Sequence, residues 1–275
     1  ELPLPLTSVM KETRYKNSLL YKISENGLHK PSYLFGTMHT ICAKDFAIPG
    51  KVQRTLSKCS TFYMEVDLGS ADELNTMQQQ EFAEQDIAEG LSPDEKNSLN
   101  NLLIQQLGLT MEDARHLPTV ELINLMATKA ISCDDIKIAE MELLKIAMEK
   151  GLRTAGLETA LEQLEIAKQV FNGREILLQL QLSNDYTDLF EKMVSAYHKE
   201  NLKELAAIVT HKRFMSAGAY DILVVRRNKS WAKIIPGLIG ENNAFIAVGA
   251  GHLPGEQGLL QLLTEQGFSV NPVYK

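Results

Sequence analysis

Two stretches far apart in the chain share one form. Tyr33-Leu-Phe-Gly36-Thr-Met-His39 and Ile246-Ala-Val-Gly249-Ala-Gly-His252 each read as an apolar strand, a glycine, two residues and a histidine. This repetition limits the folds open to the chain. Two such segments converge most simply when both strands lie in one sheet and run the same way, as neighbours or near neighbours. Parallel pairing needs crossovers, and crossovers lay helices over the sheet. Sites in such sheets form beyond the carboxyl ends of the strands, where glycine lets the backbone turn and approach closely. With 17 Gly and 6 His in the chain, this spacing arises about 0.4 times by chance, so the strand context carries the reading more than the bare spacing does.

The intervening sequence fits that architecture. Leu19–Ser24 reads as a strand entering a turn at Glu25-Asn-Gly27, and Pro31–Phe35 as the strand that returns. Pro49 and Gly50 precede an amphipathic piece, Val52 to Cys59, and then the strand Thr61–Val66, a strand-helix-strand unit that favours parallel pairing. Residues from about 70 to 150 are helical in character, with Ser92-Pro93-Asp-Glu95 as a helix start, and read as an insertion. Gly151–Leu157 is a short strand, and Thr159 caps the helix after it. Tyr186, Leu189, Phe190, Met193, Val194 and Tyr197 form an apolar stripe at helical spacing, expected as core. Ala244–Val248 is an apolar strand, a helix spans Gly258 to Gln266, and Phe268–Tyr274 supplies an edge strand interrupted by Pro272. The expected fold class is α/β: one domain over residues 1–275 with a central mixed, largely parallel sheet and a helical insertion over about 70–150. Gln78 to Gln80 is too short to count as low complexity.

Composition removes several classes of function. The net charge is -7 and no basic run exists that could track a phosphate backbone, so nucleic acid is not an expected partner. No apolar stretch reaches the roughly 18 residues that span a bilayer. The chain opens on Glu1 and an extended Glu1–Leu6 lead-in, which fits a leader removed upstream. An extracytoplasmic location (periplasmic, lipoprotein or secreted) is therefore expected. Cys42, Cys59 and Cys133 are too few for a disulfide framework or a cysteine zinc site. They fit a reducing compartment, or one bridge plus a spare. Cys42, three residues after His39, reads as a small packed side chain rather than a ligand. No feature fixes an oligomeric state.

The candidate site residues lie at strand ends and on one helix. Period-2 alternation sends Phe62, Met64 and Val66 to one face and Thr61, Tyr63 and Glu65 to the other, leaving Glu65 at the carboxyl end. Glu158 follows Gly156-Leu157 in the same way. On the helix holding Tyr220, Val224 and Trp231, Arg227 shares the apolar face, where a guanidinium needs an anion or carbonyl partner. Its alternatives are a structural salt bridge to Glu65 or Glu158, or an outward reach to solvent. Asn228 beside it either orients a substrate carbonyl or bonds locally. His29, His116, His198 and His211 lack glycine partners and receive no role, and Asp45 and Asp67 read as turn formers.

Together, Leu19-Leu-Tyr21, Tyr33–His39, Glu65-Val-Asp67, Gly156-Leu-Glu-Thr159 with Glu162-Gln163, Arg227-Asn228 with Trp231, and Val248-Gly-Ala-Gly-His-Leu253 resemble the TraB/GumN (YbaP-like) family over nearly the whole chain. The resemblance implies an α/β core like those of erythromycin esterases and the haem-binding ChaN proteins. Its animal TIKI members are metal-dependent proteases that use paired Gly-x-x-His segments. It implies His39 and His252 as metal residues, Gly36 and Gly249 as close-approach positions against a bound cofactor, and Glu65, Glu158, Arg227 and Asn228 as catalytic surroundings. The expected cofactor is a divalent ion such as Mn, Co or Zn, and the expected substrate a peptide or protein. Two readings compete with this metal-dependent peptidase: a haem- or peptide-binding protein without turnover, and a metal-free esterase-like hydrolase using His and Glu as acid and base.

Overall fold

The computed structural model describes residues 16–78, 86–131, 133–211 and 215–274. The Glu1–Leu6 lead-in, Gln79, Gln80 and the Tyr186 side chain lie outside the described residues. In chain order the elements are β1 (Leu20–Ser24), β2 (Ser32–Thr37), β3 (Thr40–Cys42), α1 (Gly50–Leu56), β4 (Thr61–Met64), α2 (Ala71–Gln78), α3 (Pro93–Leu107), α4 (Met111–Arg115), α5 (Thr119–Ala130) and β5 (Ile136–Ile138). There follow α6 (Ala139–Glu149), β6 (Arg153–Gly156), α7 (Ala160–Val170), α8 (Gly173–Gln181), α9 (Ser183–His198), α10 (Leu202–Val209), α11 (Ala217–Tyr220), α12 (Arg227–Glu241), β7 (Ala244–Gly249), α13 (Leu259–Glu265) and β8 (Ser269–Pro272).

Six strands form the main sheet in the order β6-β4-β7-β2-β1-β8. The four from β6 to β2 are mutually parallel, while β1 runs antiparallel to both β2 and β8. The sheet is therefore mixed and largely parallel, as the strand pattern predicts. The β1–β2 hairpin turns through Glu25, Asn26 and Gly27, all at positive φ. The strand-helix-strand unit β2-α1-β4 is parallel too, but β7 from the far end of the chain lies between its two strands. All six residues of β7 are buried, which is the signature of a parallel strand covered on both faces. β8 is an edge strand, where Pro272 costs no interior ladder bond.

The main core joins the sheet to α1, α6, α12 and α13 through Val52, Leu56, Leu143, Leu144, Ile235, Leu259 and Leu260. A second cluster stands apart: Leu99, Leu103, Ala114 and Leu122 pack with Ile176, Leu177 and Leu180, so helices on either side of β6 share it. The two expected helix starts are built as capping boxes. Ser92 accepts from the Glu95 N–H and Thr159 from the Glu162 N–H, with each glutamate returning the bond. Among the described residues no helix is long and apolar enough to cross a membrane.

One expectation needs correction. The α9 stripe is not uniformly core. Met193 and Tyr197 pack on the main cluster, but Phe190 and Val194 are half-buried and line an open cleft of about 520 Å³ beside Cys42 and His198. The helical period identifies the apolar face of α9 correctly, yet half of that face meets the cleft. Cys42 is buried, as expected of a packed side chain, and is bonded to Cys133, leaving Cys59 as a buried free thiol. That is the arrangement of one bridge and a spare.

Candidate functional site

Four adjacent parallel strands end at one edge of the sheet, and each is followed by a site residue. β2 and β7 pair in register, with Thr37 opposite Gly249, so His39 and His252 leave the sheet side by side. β4 lies on the other side of β7 and delivers Glu65, and β6 beyond it delivers Glu158. Arg227 and Asn228 come from above. Between α11 and α12 the chain makes a π-helical stretch, Asp221–Arg226, of the kind that reorients side chains at functional sites. It leaves Val224, Arg227 and Trp231 buried on the face expected for them.

Both glycines of the paired segments sit at close approaches within the protein. A Cβ on Gly249 would lie 2.7 Å from His39 Nε2, and one on Gly36 would lie 2.7 Å from Leu253 Cδ1 and 3.0 Å from the Ala250 Cα. The His39 ring therefore rests directly on the Gly249 backbone, with 53% of its side chain exposed. His252 is different. It is 5% exposed and stacks on Trp231 with ring centroids 4.6 Å apart.

The two imidazoles are held in the same manner. His39 Nδ1 meets Glu140 Oε1 at 2.7 Å, and His252 Nδ1 meets Asn228 Oδ1 at 2.7 Å. The Asn228 amide nitrogen donates to the carbonyls of His252 and Gln257, so its oxygen faces the ring and accepts from Nδ1–H. Both partners are acceptors, which leaves each Nε2 with its lone pair when the ring is neutral. The two Nε2 atoms flank one atom, Glu65 Oε1, at 3.5 Å from His39 and 3.8 Å from His252. The Gly249 N–H donates to that same oxygen at 2.8 Å.

Arg227 binds the carboxylates from the other side. Its Nη2 donates to Glu65 Oε2 and, at 2.6 Å, to Glu158 Oε1, while Nε donates to Glu158 Oε2 at 3.1 Å. Nη1 donates to the Leu223 carbonyl at 3.2 Å and faces His252 Nε2 at 3.3 Å. Of the sequence alternatives, the salt bridge is present and reaches both glutamates. Every N–H of Arg227 is thus directed at a partner, and fully buried Asn228 has no free N–H either. The choice left open between Glu65 and Glu158 separates by orientation: Glu65 faces the histidines, and Glu158 faces Arg227 and Gln163.

These contacts set the protonation states. Burial opposes ionisation of Glu65, but Arg227, His39, His252 and the Gly249 N–H together hold its carboxyl well below the ordinary range. Burial pushes the Glu158 carboxyl up, against its bonds from Arg227. Burial also opposes charge on Glu140, and His39 and Thr37 outweigh it, so its pKa is lowered. The Glu140 carboxylate draws the His39 pKa up to about 9, while burial brings His252 down to about 3 with Arg227 and His39 reinforcing the effect against Glu65. At neutral pH His252 is neutral and His39 carries a proton.

Glu140, 5% exposed, is the site residue that sequence reasoning missed. Its only local signal is an acid in the first turn of α6, which is ordinary. Asp67 is a turn former, accepting from the Gly69 N–H and the Thr154 hydroxyl. His116 pairs with Glu112, and His198 contacts the Asp45 carbonyl.

The donor types suit a divalent ion. Two imidazole Nε2 atoms with their Nδ1 positions tied to acceptors, together with a carboxylate oxygen, are the ligands such ions take. The group is not assembled in advance: among the described residues no three or more His, Cys, Asp or Glu are arranged to hold a metal ion. In comparison with known proteins, the model of the TraB/PrgY/gumN family matches residues 19–272. No curated protein and no solved structure matches the chain.

Proposed function

The chain belongs to the TraB/PrgY/gumN family, and from that premise we propose that it is a metal-dependent hydrolase acting on peptide bonds, with His39, His252 and Glu65 as the residues that would hold the ion. One observation carries this reading: both histidine Nε2 atoms flank Glu65 Oε1 while both Nδ1 atoms are tied to acceptors. Bound there, a divalent ion such as Zn, Mn or Co would lower the pKa of a water and polarise the scissile carbonyl.

Charge supports the same reading. With neutral imidazoles, the ionised carboxylates of Glu65, Glu140 and Glu158 exceed the single Arg227 guanidinium by two negative charges, which a divalent cation balances. Without the cation, a proton on His39 partly makes up the deficit, in line with its raised pKa. Arg227 keeps Glu65 ionised and aimed, Glu158 anchors Arg227, and Asn228 fixes the His252 tautomer. Arg227 and Asn228 have no unused donor for an oxyanion, so in this scheme they position groups and do not contact substrate. The peptide-bond assignment rests on the resemblance to the TIKI proteases.

Trp231, the single tryptophan of the chain, lies against His252 and reports on the site. The expected result is a saturable change in its emission when Zn, Mn or Co is added to chelator-stripped protein, lost in His39→Ala and His252→Ala, with peptide cleavage appearing over the same titration. No saturable response to any of the three ions at millimolar concentration would sink the proposal. A second reading has its own observation: His39 is half exposed with Nδ1 on a buried carboxylate, the arrangement of a metal-free acid–base pair. Cleavage that survives excess chelator selects that reading.

A further inference from the structure

β3 and β5 form a sheet of their own, apart from the main one. Each has three residues, and a two-stranded ribbon of that size is marginal by itself. Its ladder pairs Cys42 with Ile136, Ile41 with Lys137 and Thr40 with Ile138. It continues one step further at each end: the Ala43 N–H donates to the Asp135 carbonyl at 2.9 Å, and the Ala139 N–H to the His39 carbonyl at 3.1 Å. One end of the ribbon thus carries the Cys42–Cys133 disulfide. The other carries His39 facing Glu140, the second residue of α6.

The two strands are anchored unequally. Ile41 and Cys42 of β3 are buried, whereas Ile136 and Lys137 are half-buried and Ile138 is exposed, so no buried side chain of β5 fastens it to the core. Farther along, α6 is fixed by Leu143, Leu144 and Ala147. Glu140 stands before that cluster, buried beside Ala139 and taking a hydrogen bond from the Thr37 hydroxyl of β2, and the Ala139 amide ahead of it bonds to the ribbon.

We propose that Glu140 is the positioning residue of His39, and that the Cys42–Cys133 disulfide, by clamping the β3–β5 ribbon, keeps it in place and makes the site sensitive to redox state. A dithiol reductant would supply two electrons and two protons: the sulfur–sulfur bond breaks, Cys42 and Cys133 become thiols, and the dithiol closes to its own disulfide. β5 would then hold to β3 by its ladder alone, and Glu140 would lose its register on the ring. Only the consequence for turnover rests on the hydrolase reading; the placement of His39 does not.

The test reads the imidazole directly. In metal-stripped protein the hydrogen-bonded Nδ1 proton of His39 gives a downfield resonance, assigned by its absence in His39→Ala. The expected outcome is its loss in Glu140→Ala and its return in Glu140→Gln, whose amide oxygen still accepts. It should also be lost in the native chain after dithiol treatment, while the emission of buried Trp231 and the far-UV circular dichroism stay native. Persistence of the resonance in Glu140→Ala or in the reduced chain overturns the proposal. So does a loss of the resonance that occurs only when the native Trp231 emission is lost as well, since the bridge would then be a global staple. If the ion reading also holds, Glu140→Ala weakens zinc binding by about 10–100-fold. Absence of zinc binding in the parent would defeat that reading and leave the resonance test standing.

Discussion

Arg227 is the residue whose removal is most clearly priced by the structure. Arg227→Met keeps much of the side-chain volume but deletes the charge that serves Glu65 and Glu158, whose side chains are 8% and 7% exposed. Breaking one buried pair by deleting a partner costs about 3–5 kcal/mol. Two carboxylates lose their guanidinium at once here, while Glu65 keeps the Gly249 N–H and His39 and Glu158 keeps Gln163, so a cost within that range, about 3–5 kcal/mol at pH 7.5, is expected. The sign with pH follows from linkage. In the parent, Glu65 is depressed, so its contribution is present above the unfolded carboxylate pKa and is lost as pH falls through the folded value. In the variant, burial without the guanidinium raises the Glu158 carboxyl further and lifts Glu65, which keeps only His39 and the Gly249 N–H, from its depressed parent value, so stability is lost as pH rises through the raised folded values. Between pH 7.5 and pH 5 only the second effect acts, because the parent's Glu65 contribution persists down to the unfolded carboxylate pKa, and it makes the deficit large at pH 7.5 and smaller near pH 5. Arg227→Lys keeps the charge but not the planar fork, and loses at least one charged hydrogen bond, about 1.5–3 kcal/mol. Urea unfolding followed by far-UV circular dichroism measures each difference as a shift in midpoint at constant slope. A deficit for Arg227→Met below about 1 kcal/mol, or one that grows toward pH 5, would refute the reasoning.

Other expectations follow from the unequal setting of the two histidines and of the three cysteines. His252→Ala removes a buried ring from Trp231 and leaves Asn228 Oδ1 without its donor, so it should cost about 2–4 kcal/mol; His39→Ala should cost below about 1 kcal/mol, and equal losses in thermal or urea unfolding would contradict the burial difference. Gly249→Ala places a methyl 2.7 Å from His39 Nε2; the half-exposed ring can move aside, so ion titration should show weakened binding with little change in melting temperature, and unaltered affinity would count against the shared site. Alkylation read by mass should label no thiol in the native chain at pH 8, Cys59 alone in denaturant, and all three cysteines after reduction. Burial pushes the Cys59 thiol up to about 12, and labelling of the native protein within minutes would show that it is accessible.

What could be read from the sequence, and what could not, divides along a physical line. His39, His252, Glu65 and Glu158 were legible because each follows a strand, and a strand's direction and alternation place its last side chains before any tertiary contact is known. Arg227 was legible for the equivalent reason on a helix, where a charge on the apolar face demands a partner. Glu140 had no such signature. Its meaning arises from a ribbon that joins residues 101 positions apart in sequence, through backbone hydrogen bonds that any residue type can make. Local pattern was blind to the position of β7 between β2 and β4 as well, since either order satisfies parallel pairing. Phe190 marks the same boundary from the other side: a period of 3.6 tells which face of α9 is apolar, and only the tertiary neighbours, Cys42, Lys44 and Asp45, show that the face meets a cleft instead of the core. The groups that touch the candidate chemistry are therefore encoded at element ends. The groups that hold them in place are encoded in the packing between elements, which is why Glu140→Ala and the reduced chain are the perturbations that probe what periodicity cannot reach.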